Sequence, residues 1–312
     1  MVGPEVRERI LEAVEVSGYH RNALVKALKS NRTHVIGIIV PELSVSFFSE
    51  VVRSAEREAR ANGLQCFLCQ SHSSSDALAK DIAALREYRV DGLLIAPASD
   101  KDNQPLYKSL TDQKFPFVLL DTGVEGIKAA SVINHHVAIG RLATEHLLSL
   151  GHKRIACFRG YPGLPSEQRY EGYCQALKKA GIEIDAELIV GDNYDFETGL
   201  EAVRELLQRK ARFTALVASS DYVALGAIQE LARHGIRVPD DVSVVGCANL
   251  DVSKMVTPPL TSVDQSPKLI GEKAVRLLIE QIDQQFPSAT TIKVNPKLVV
   301  RGTTAPAKRS RA

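Results

Sequence analysis

Few residues of this 312-residue chain stand at the spacings that catalysis or metal binding requires. The sequence has no Gly-x-Gly-x-x-Gly after a predicted strand, no phosphate-binding loop, no Gly-x-Ser-x-Gly and no His-Glu-x-x-His. The segment 160–166 (GYPGLPS) lacks the Lys-Ser or Lys-Thr of a phosphate cradle. His135 and His136 are adjacent and have no third ligand at metal-binding spacing. The residues therefore predict no enzyme, no metal site and no cofactor.

The five cysteines form an odd and scattered set: Cys66, Cys69, Cys157, Cys174 and Cys247. Cys66 and Cys69 lie in the apolar run 64–69, which is typical of a strand, and residues three apart on a strand face opposite sides. Neither a disulfide nor a shared metal ion is expected there. We expect buried, reduced thiols, which suit a reducing cytoplasm.

Composition and charge describe a globular protein without a global charge signal. Hydrophobic residues make up 45% of the chain, charged residues 24%, and the formal net charge is +2. Nucleic-acid binding would therefore have to be local. No apolar run approaches the roughly 20 residues of a membrane span, and the amino terminus lacks the apolar core of a secretory signal. These features predict a cytoplasmic protein with no membrane partner, and they argue against an exported one.

From residue 34 onward, short runs of valine, isoleucine and leucine alternate with amphipathic helical patterns. Strands are predicted at 34–40, 64–69, 92–96, 117–120, 130–133, 154–158, 187–190, 215–218 and 243–247. Helices are predicted at 47–62, 76–88, 103–113, 138–150, 167–180, 197–208 and 222–234. This alternation is typical of α/β proteins whose parallel sheets are covered on both faces. The length of the chain exceeds the usual limit of one core and predicts two lobes.

The two ends of the chain depart from this alternation of strands and helices. Pro4–Val16 is predicted as a helix whose apolar stripe needs a partner, and a polar, basic helical piece at 22–29 then leads into the first strand. Towards the carboxyl terminus, 261–264 reads as extended, 268–284 as helical and 291–301 as extended again. Pro296 cannot sit in a central ladder, so it predicts a crossing between lobes. Residues 306–312 read as a loose basic tail.

Several blocks of this sequence occur in a fixed order and spacing in one known protein family. They are GYHRNALVKALKSNRTHVIGIIVP (18–41), FFSEVV (47–52), VDGLLIAP (90–97), FPFVLLD (115–121), GRLATEHLLSLGHKRIA (140–156), RYEGYCQALKKAGI (169–182), SSDYVALGAIQELARHGIRVPDDVSVVG (219–246), PPLTSVDQ (258–265) and LVVRGTT (298–304). With these blocks the chain resembles the lactose-repressor (LacI/GalR) family of bacterial transcriptional regulators from about Val2 to its end.

The resemblance implies a two-lobed, type I periplasmic-binding-protein-like core, in which each lobe is a parallel sheet flanked by helices. Three crossovers join the lobes, and an effector cleft lies between them. By analogy, the amino-terminal lobe comprises 34–133 with 265–294, and the carboxyl-terminal lobe comprises 134–264 with 295–305. Residues 1–33 would hold a remnant of the DNA-binding headpiece, helix 4–16, followed by a hinge helix at 22–29. Because the family's first two headpiece helices have no counterpart here, we expect no specific base readout from these 312 residues.

The hinge helix of the family enters the minor groove when two subunits bind an operator. Here Leu28 is the matching residue that would wedge between two base pairs. Lys26, Lys29 and Arg32 would contact phosphates, and Asn22 would cap the helix. The alternative is an amphipathic linker helix without a role on DNA.

Ligand clefts in such proteins form at the carboxyl ends of strands, where several side chains are candidates for effector binding. Phe47 and Phe48 follow the first strand and would offer apolar faces to a ring, or would form a core aromatic pair. Arg169 matches the family arginine that contacts ligand hydroxyls or a carboxylate. Its alternative is a surface ion pair with Glu167 or Glu171.

Four further candidates lie at strand ends: Asp121, Tyr194, Ser220 and Asp221. Asp221 has the alternative role of capping the helix that follows it. Ala248 stands where the family has a ligand-binding aspartate, and its neighbour Asn249 could substitute in part. Because alanine accepts no hydrogen bond, a usual ligand of the family would lose about 1–3 kcal/mol at this position.

Together these features predict a ligand-responsive transcriptional regulator of the LacI type. The expected partners are a small-molecule effector (a sugar or related metabolite), operator DNA when the headpiece is present, and a second copy of the chain that contacts helices 47–62 and 76–88. Effector binding would close the cleft and rotate the amino-terminal lobes of the homodimer. Two alternatives stay open: a solute-binding protein of a sugar transporter, and a headpiece-less subunit that pairs with intact relatives.

Overall fold

The computed structural model describes residues 3–17, 32–44, 46–97, 103–284 and 289–308. From residue 32 onward they form two lobes, each built on a six-stranded sheet. Ahead of the lobes, α1 (Pro4–Ser17) covers the helix predicted at 4–16, and its Val6 and Val16 side chains are exposed. The predicted hinge helix at 22–29 lies outside the described residues.

The amino-terminal lobe is a parallel sheet flanked by helices. Its strands are β1 (Val35–Val40), β2 (Gln65–Gln70), β3 (Gly92–Ile95), β4 (Phe117–Asp121), β5 (Ala130–Asn134) and β11 (Thr291–Val294). Its helices are α2 (Ser46–Ala61), α3 (Ser75–Glu87), α4 (Gln104–Asp112) and α10 (Pro267–Gln284). The strand order is β11-β5-β4-β3-β1-β2, and every neighbouring pair is parallel.

The apolar run of β1 is explained by cover on both faces of this sheet. Ile36, Ile38 and Val40 pack into a cluster with residues of α2 and α10. Ile39, which points to the other face, packs with residues of α3 and α4. A strand covered on both sides has no position for a polar residue, so it reads as continuous rather than alternating.

The carboxyl-terminal lobe repeats the arrangement with one antiparallel edge. Its strands are β6 (Ile155–Phe158), β7 (Ile189–Val190), β8 (Ala215–Val217), β9 (Ser243–Ala248), β10 (Thr261–Asp264) and β12 (Lys297–Val299). Its helices are α5 (His136–Ser149), α6 (Leu164–Lys179), α7 (Phe196–Gln208), α8 (Asp221–Arg233) and α9 (Val252–Met255). The order is β12-β10-β9-β8-β6-β7, and β12 runs antiparallel to β10.

The chain crosses between the two sheets three times. The first crossing follows β5 at Asn134, the second follows β10 at Asp264, and the third joins β11 to β12 through residues 295–296. Pro296 therefore lies between the lobes, as predicted. The strand predicted at 187–190 is a 3₁₀ turn (Ala186–Leu188) followed by β7, and the extended run predicted at 291–301 is divided between β11 and β12. The other predicted strands and helices of the two lobes are present, with ends that differ from the observed ones by a few residues.

Two expectations need correction. The five cysteines are free, but Cys66, Cys69 and Cys174 are half-buried rather than buried. Cys66 and Cys69 do face opposite sides of the sheet, since they pack against different core clusters. The basic tail is not loose at its start, because Lys308 Nζ lies 2.7 Å from Asp241 Oδ1. No helix among the described residues is long and apolar enough to cross a membrane.

Candidate functional site

A cavity of about 590 Å³ lies between the two lobes, at the carboxyl ends of strands from both sheets. Segments that follow β1, β3 and β4 line one side, and segments that follow β6, β7, β8 and β9 line the other. Parallel strands bring these loops to one edge of each sheet, and the two edges face each other here. Six of the eight predicted effector-binding residues line the cavity: Phe47, Phe48, Asp121, Arg169, Tyr194 and Ser220.

Arg169 is the cation of this cavity and is held by three hydrogen bonds. Its Nη1 donates to the Ser219 carbonyl oxygen (2.9 Å), its Nη2 to Gln265 Oε1 (3.1 Å) and its Nε to His136 Nδ1 (3.4 Å). A guanidinium has five N–H groups, so two remain uncommitted. The side chain is half-buried, and its central carbon lies 5.7 Å from the centre of the Tyr194 ring.

The alternative of a surface ion pair for Arg169 is wrong. Glu167 pairs with Arg159 instead, and Glu171 accepts a hydrogen bond from Gln175 (2.8 Å). The ion pairs formed by the described residues do not include Arg169. Its charge is therefore available to an oxygen-bearing ligand group, for which a hydrogen bond to a charged donor is worth about 1.5–3 kcal/mol.

Aromatic rings form much of the wall. Phe47 and Phe48 pack edge to face with ring centres 5.1 Å apart, and both line the cavity while also contacting the core of the amino-terminal lobe. The pair is therefore part of the core, and its exposed parts line the cavity where a ligand contact was predicted. Opposite them, Tyr161 and Tyr194 pack edge to face at 5.4 Å, and burial raises the pKa of Tyr194 to about 12. The Ser73 hydroxyl donates to the Tyr161 hydroxyl across the cavity (3.2 Å), so one hydrogen bond links the two lobes there.

The floor of the cavity is a buried polar cluster around Asp121. Its Oδ1 accepts a hydrogen bond from Asn134 Nδ2 (2.8 Å), and its carbonyl oxygen accepts one from His136 Nε2 (3.1 Å). Burial lowers the pKa of His136 to about 4, although the nearby Asp121 opposes that shift. His136 is therefore neutral, which matches its role as acceptor from Arg169 through Nδ1.

Gln265 joins this floor to Arg169. Its Oε1 accepts from Arg169 Nη2 and from Asn134 Nδ2 (3.4 Å), and its Nε2 donates to Cys247 Sγ (2.9 Å). The residue is 2% exposed and lies on the second crossing between the lobes. One side chain on the second crossing thus contacts both lobes at the cavity.

Asp221 and Asn249 are placed differently from the sequence prediction, since neither lines the cavity. The buried Asp221 carboxylate accepts hydrogen bonds from the Leu250 N–H (2.7 Å) and the Ser262 hydroxyl (2.6 Å). Burial raises the pKa of Asp221 to about 6. Asn249 Oδ1 accepts from Arg301 Nη2 (2.6 Å), so its side chain is directed to the carboxyl-terminal segment. These two side chains serve the internal structure of the carboxyl-terminal lobe.

The sequence suggested Asp221 as the N-cap of α8, but the structure places another residue there. Ser220 Oγ accepts from the Val223 N–H (3.0 Å) and donates to the Tyr194 carbonyl oxygen (2.6 Å), so Ser220 is the N-cap and Asp221 is the first helical residue. Ala248 lines the cavity with a buried methyl group, as its position in the sequence suggested.

The sequence interpretation missed several residues of the site. Tyr161, Phe196, Ser219, Tyr222 and Gln265 line the cavity, and Asn134 and His136 support its floor. Most of them follow the carboxyl end of a strand within a few residues, which is the signal that could have found them. Of the predicted DNA-contacting residues, Asn22, Lys26, Leu28 and Lys29 lie outside the described residues. Arg32 is described, and its Nη2 lies 2.8 Å from Asp283 Oδ1.

The family to which this geometry belongs is decided by comparison with known proteins. A family profile described as periplasmic binding proteins and sugar binding domain of LacI family matches residues 33–300. The chain belongs to the LacI family. The earlier resemblance is thereby confirmed, and so is the two-lobed fold.

Relatives within the LacI family are transcriptional regulators. The HTH-type transcriptional repressor PurR of Mannheimia succiniciproducens is 33% identical over 302 residues, which cover 96% of this chain and 90% of that protein. Its counterpart from Pasteurella multocida is 31% identical over 302 residues, with the same two coverages of 96% and 90%.

Solved structures agree with this assignment. The structure of the transcriptional regulator CelR in complex with cellobiose is 29% identical, has a TM-score of 0.79, and is matched over 97% of this chain and 92% of that one. A LacI family transcriptional regulator from Mycobacterium smegmatis is 32% identical with a TM-score of 0.76, over 87% of this chain and 99% of that one. As a LacI family member, the chain contains the ligand-binding core of a regulator and is not an enzyme.

Proposed function

We propose that this protein is a transcriptional regulator whose small-molecule effector binds in the cavity between the lobes and controls DNA binding through the segment that contains residues 22–29. One observation carries the proposal. Arg169 presents two uncommitted N–H groups and no ion-pair partner among the described residues, inside a cavity with aromatic walls at the junction of two lobes. A half-buried cation without an ion-pair partner among the described residues favours a ligand that supplies oxygen atoms.

The effector that fits this cavity has an apolar or planar body and oxygen atoms at one end. Phe47 and Phe48 on one lobe and Tyr194 on the other offer ring faces and edges to the body. Hydroxyl or carboxylate oxygens would occupy the free N–H groups of Arg169, and a hydroxyl would also reach the acceptor Asp121. Sugars, nucleobases and small hydroxy acids combine these features. Cellobiose in the CelR complex is one ligand of this kind in a relative.

The effector would act by changing the angle between the lobes. Contacts from both lobes meet at the cavity, and a side-chain hydrogen bond from Ser73 to Tyr161 bridges them at its edge. A ligand that contacts both sides favours the closed arrangement, because it binds that arrangement more tightly. The change would reach residues 22–29 in the two copies of a dimer, where Leu28 is the proposed wedge between base pairs, and Lys26, Lys29 and Arg32 the proposed phosphate contacts. A regulator of this kind works in the cytoplasm.

We place the contact between the two copies on α2, α3 and the edge strand between them. β2 is the last strand of its sheet, and its Phe67 and Leu68 side chains are more than 40% exposed. Tyr88, directly after α3, is 69% exposed and packs against Phe67 with ring centres 5.8 Å apart. An exposed edge strand with apolar side chains requires cover, and a second copy provides it with the same surface.

A thermal-shift screen tests the effector proposal. Wild type and Arg169→Gln are heated with disaccharides, nucleobases and small hydroxy acids, since binding to the folded state raises the melting temperature. We expect one chemical class to raise the melting temperature of the wild type and to have a much smaller effect on Arg169→Gln. The chain contains no tryptophan, so Tyr222→Trp at the cavity wall adds a fluorescent reporter of the same binding. A ligand that stabilises both proteins equally binds elsewhere, and it would contradict the assignment of the cavity.

A further inference from the structure

Two helices of the amino-terminal lobe, α2 and α10, extend from the cavity to the end of the lobe that the segment 18–31 joins. α2 begins with Phe47 and Phe48 in the cavity wall, and the chain that leaves it enters β2 beside His34, whose carbonyl oxygen accepts from the Gln65 N–H (2.9 Å). α10 starts two residues after Gln265 and ends at Gln284. With 18 residues at about 1.5 Å each, α10 spans about 27 Å.

The cavity end of α10 is fixed through Gln265. This buried side chain holds Arg169, Asn134 and Cys247 at once, as described above. Between Gln265 and the helix lies only Ser266, whose N–H donates to Asp264 Oδ1 (2.6 Å) and whose carbonyl oxygen accepts from the Ile270 N–H (3.2 Å). Because the connection is one residue long and hydrogen-bonded, a displacement of Gln265 displaces the first turn of α10.

The middle of α10 is locked to α2. A Cβ at Gly271 would overlap the Ser54 hydroxyl and the Val51 carbonyl oxygen, so the helices are in backbone contact there. One turn further along, Arg276 Nε lies 2.8 Å from Glu58 Oε1. Closely packed helices respond to a shift by moving together, since the interior has no void to absorb it.

The far end of α10 contacts Arg32, the first residue after the segment 18–31. Asp283 Oδ1 lies 2.8 Å from Arg32 Nη2. The two following residues are bound to the opposite side, where the Asp91 carboxylate accepts from the backbone N–H groups of Thr33 and His34 (2.8 Å each). α10 therefore contacts the chain at Arg32, directly after the segment 18–31.

We infer that Gln265 is a positioning residue that couples the ligand state of Arg169 to the Arg32–Asp283 contact through the packed pair α2 and α10. The inference rests on the proposed function, because Arg169 is the group that the effector would engage. A ligand oxygen that takes up Arg169 Nη2 competes with Gln265 Oε1 for this donor. Gln265 then relaxes towards Asn134 on the first crossing, α10 follows with α2, and the Arg32–Asp283 contact changes at the other end.

Hydrogen exchange measured by mass spectrometry on the full chain tests this coupling without ligand or DNA. We expect Gln265→Ala to speed exchange at Thr33 and His34 by about two- to fivefold, the range that an exposed ion pair can transmit. Gln265→Glu keeps an acceptor for Arg169 and is expected to leave these amides within twofold of the wild type. Coupling is reciprocal, so Arg32→Gln is expected to speed exchange in residues 265–270.

Arg209→Gln is the matched control, since it breaks an exposed ion pair to Glu205 on the other lobe. It should change neither region. Faster exchange confined to 264–270 in Gln265→Ala, with Thr33 and His34 unchanged, overturns the inference. If Gln265→Ala fails to fold, the surface variant Arg32→Gln tests the coupling instead. Unchanged exchange at residues 265–270 in Arg32→Gln then overturns the inference. Because no ligand is used, a negative result leaves the effector proposal intact, and a failed effector screen leaves the coupling intact.

Discussion

Gly140 of α5 and Arg169 of α6 meet backbone to backbone. A Cβ at Gly140 would overlap the carbonyl oxygen of Arg169, and a Cβ at Gly172 would overlap the carbonyl oxygen of Val137 in the reverse direction. One glycine on each helix therefore lets the two axes approach closely. This approach sets the position from which the Arg169 side chain enters the cavity.

Gly140→Ala is expected to lower both stability and effector affinity. Removing a glycine from a helix gains about 0.5–1 kcal/mol, but the methyl group meets backbone that cannot rotate away, and such overpacking costs about 1–3 kcal/mol. We expect a net loss of about 1–2 kcal/mol in the free energy of unfolding, measured with urea. The shift of α6 should weaken effector binding about tenfold, as seen by titration.

Gly199→Ala is the control for this variant. Its methyl group would overlap the carbonyl oxygen of Val223 on α8, which is the same kind of contact in the same lobe but away from Arg169. A similar loss of stability with unchanged affinity is expected. Equal losses of affinity in both variants would show that general loosening, rather than the position of Arg169, controls binding.

Arg169 itself is expected to dominate effector affinity. Arg169→Gln keeps much of the volume and removes the charge and the paired N–H groups, so the dissociation constant should rise about 10- to 100-fold. Arg169→Lys restores the charge but not the geometry and should recover only part of the loss. Arg159→Gln, which removes a cation from the neighbouring loop, should have a small effect. An effector bound equally by wild type and Arg169→Gln would refute this assignment.

His136 is expected to make the protein less stable in weak acid. Burial lowers the pKa of His136 to about 4, below its ordinary value of 6.5. The unfolded chain therefore binds a proton between these values while the folded protein does not, and stability that is present above pH 6.5 is lost as the pH falls towards 4. At pH 5 the loss amounts to about 2 kcal/mol.

The measurement compares wild type with His136→Asn in urea at pH 7.5 and at pH 5. The asparagine does not titrate, so the variant should lose less stability over this interval. Asp221 acts in the opposite sense, because its pKa is raised to about 6 and its contribution is lost as the pH rises through that value. The difference between the two proteins isolates His136, and parallel losses would show that another group is responsible.

Phe67→Glu is expected to weaken the proposed dimer. The substitution places a charge on the exposed edge strand β2, where two copies would bring two such charges together. Sedimentation should show a rise of at least tenfold in the dimer dissociation constant. Ile184→Glu changes an equally exposed apolar residue on the other lobe and should leave the dimer unchanged. A monomeric wild type at micromolar concentration would remove the basis of this prediction.

Leu28→Ala is expected to reduce DNA bending by the regulator. If Leu28 wedges between two base pairs, truncation removes the apolar contact that repays unstacking, which costs a few kcal/mol. Duplexes selected from a random pool by the wild type and labelled at both ends report bending through energy transfer. Leu24→Ala, a like change in the same segment, serves as control. Unchanged bending by Leu28→Ala would refute the wedge.

Most of the fold could be predicted because each strand and helix is dictated by a local pattern. The run 35–40 reads as a doubly covered strand, and α2 and α7 read as helices from the spacing of their apolar residues. Pro296 predicted the third crossing because proline has no N–H to donate to a neighbouring strand inside a sheet. These patterns are local in the chain, so they can be interpreted without knowing which elements pack against them.

The site could be predicted only in part because it depends on directions that sequence does not specify. Asp221 and Asn249 follow strand ends, as ligand residues do, yet hydrogen bonds with Ser262, Leu250 and Arg301 direct both away from the cavity. The sequence did not identify Gln265 as a site residue, since a glutamine after a strand has many possible roles.

The sequence by itself determined the alternation of strands and helices, the two lobes and the family resemblance, because these follow from residue types and spacing along the chain. The resemblance in turn made Arg169 a candidate ligand contact. Only the tertiary structure decided which strand-end residues face the cavity, that the charge of Arg169 has no carboxylate partner among the described residues, and that Gln265 contacts both lobes. Those relationships join residues such as Asn134, Arg169 and Gln265 that are far apart in the chain, and only folding brings them to one place.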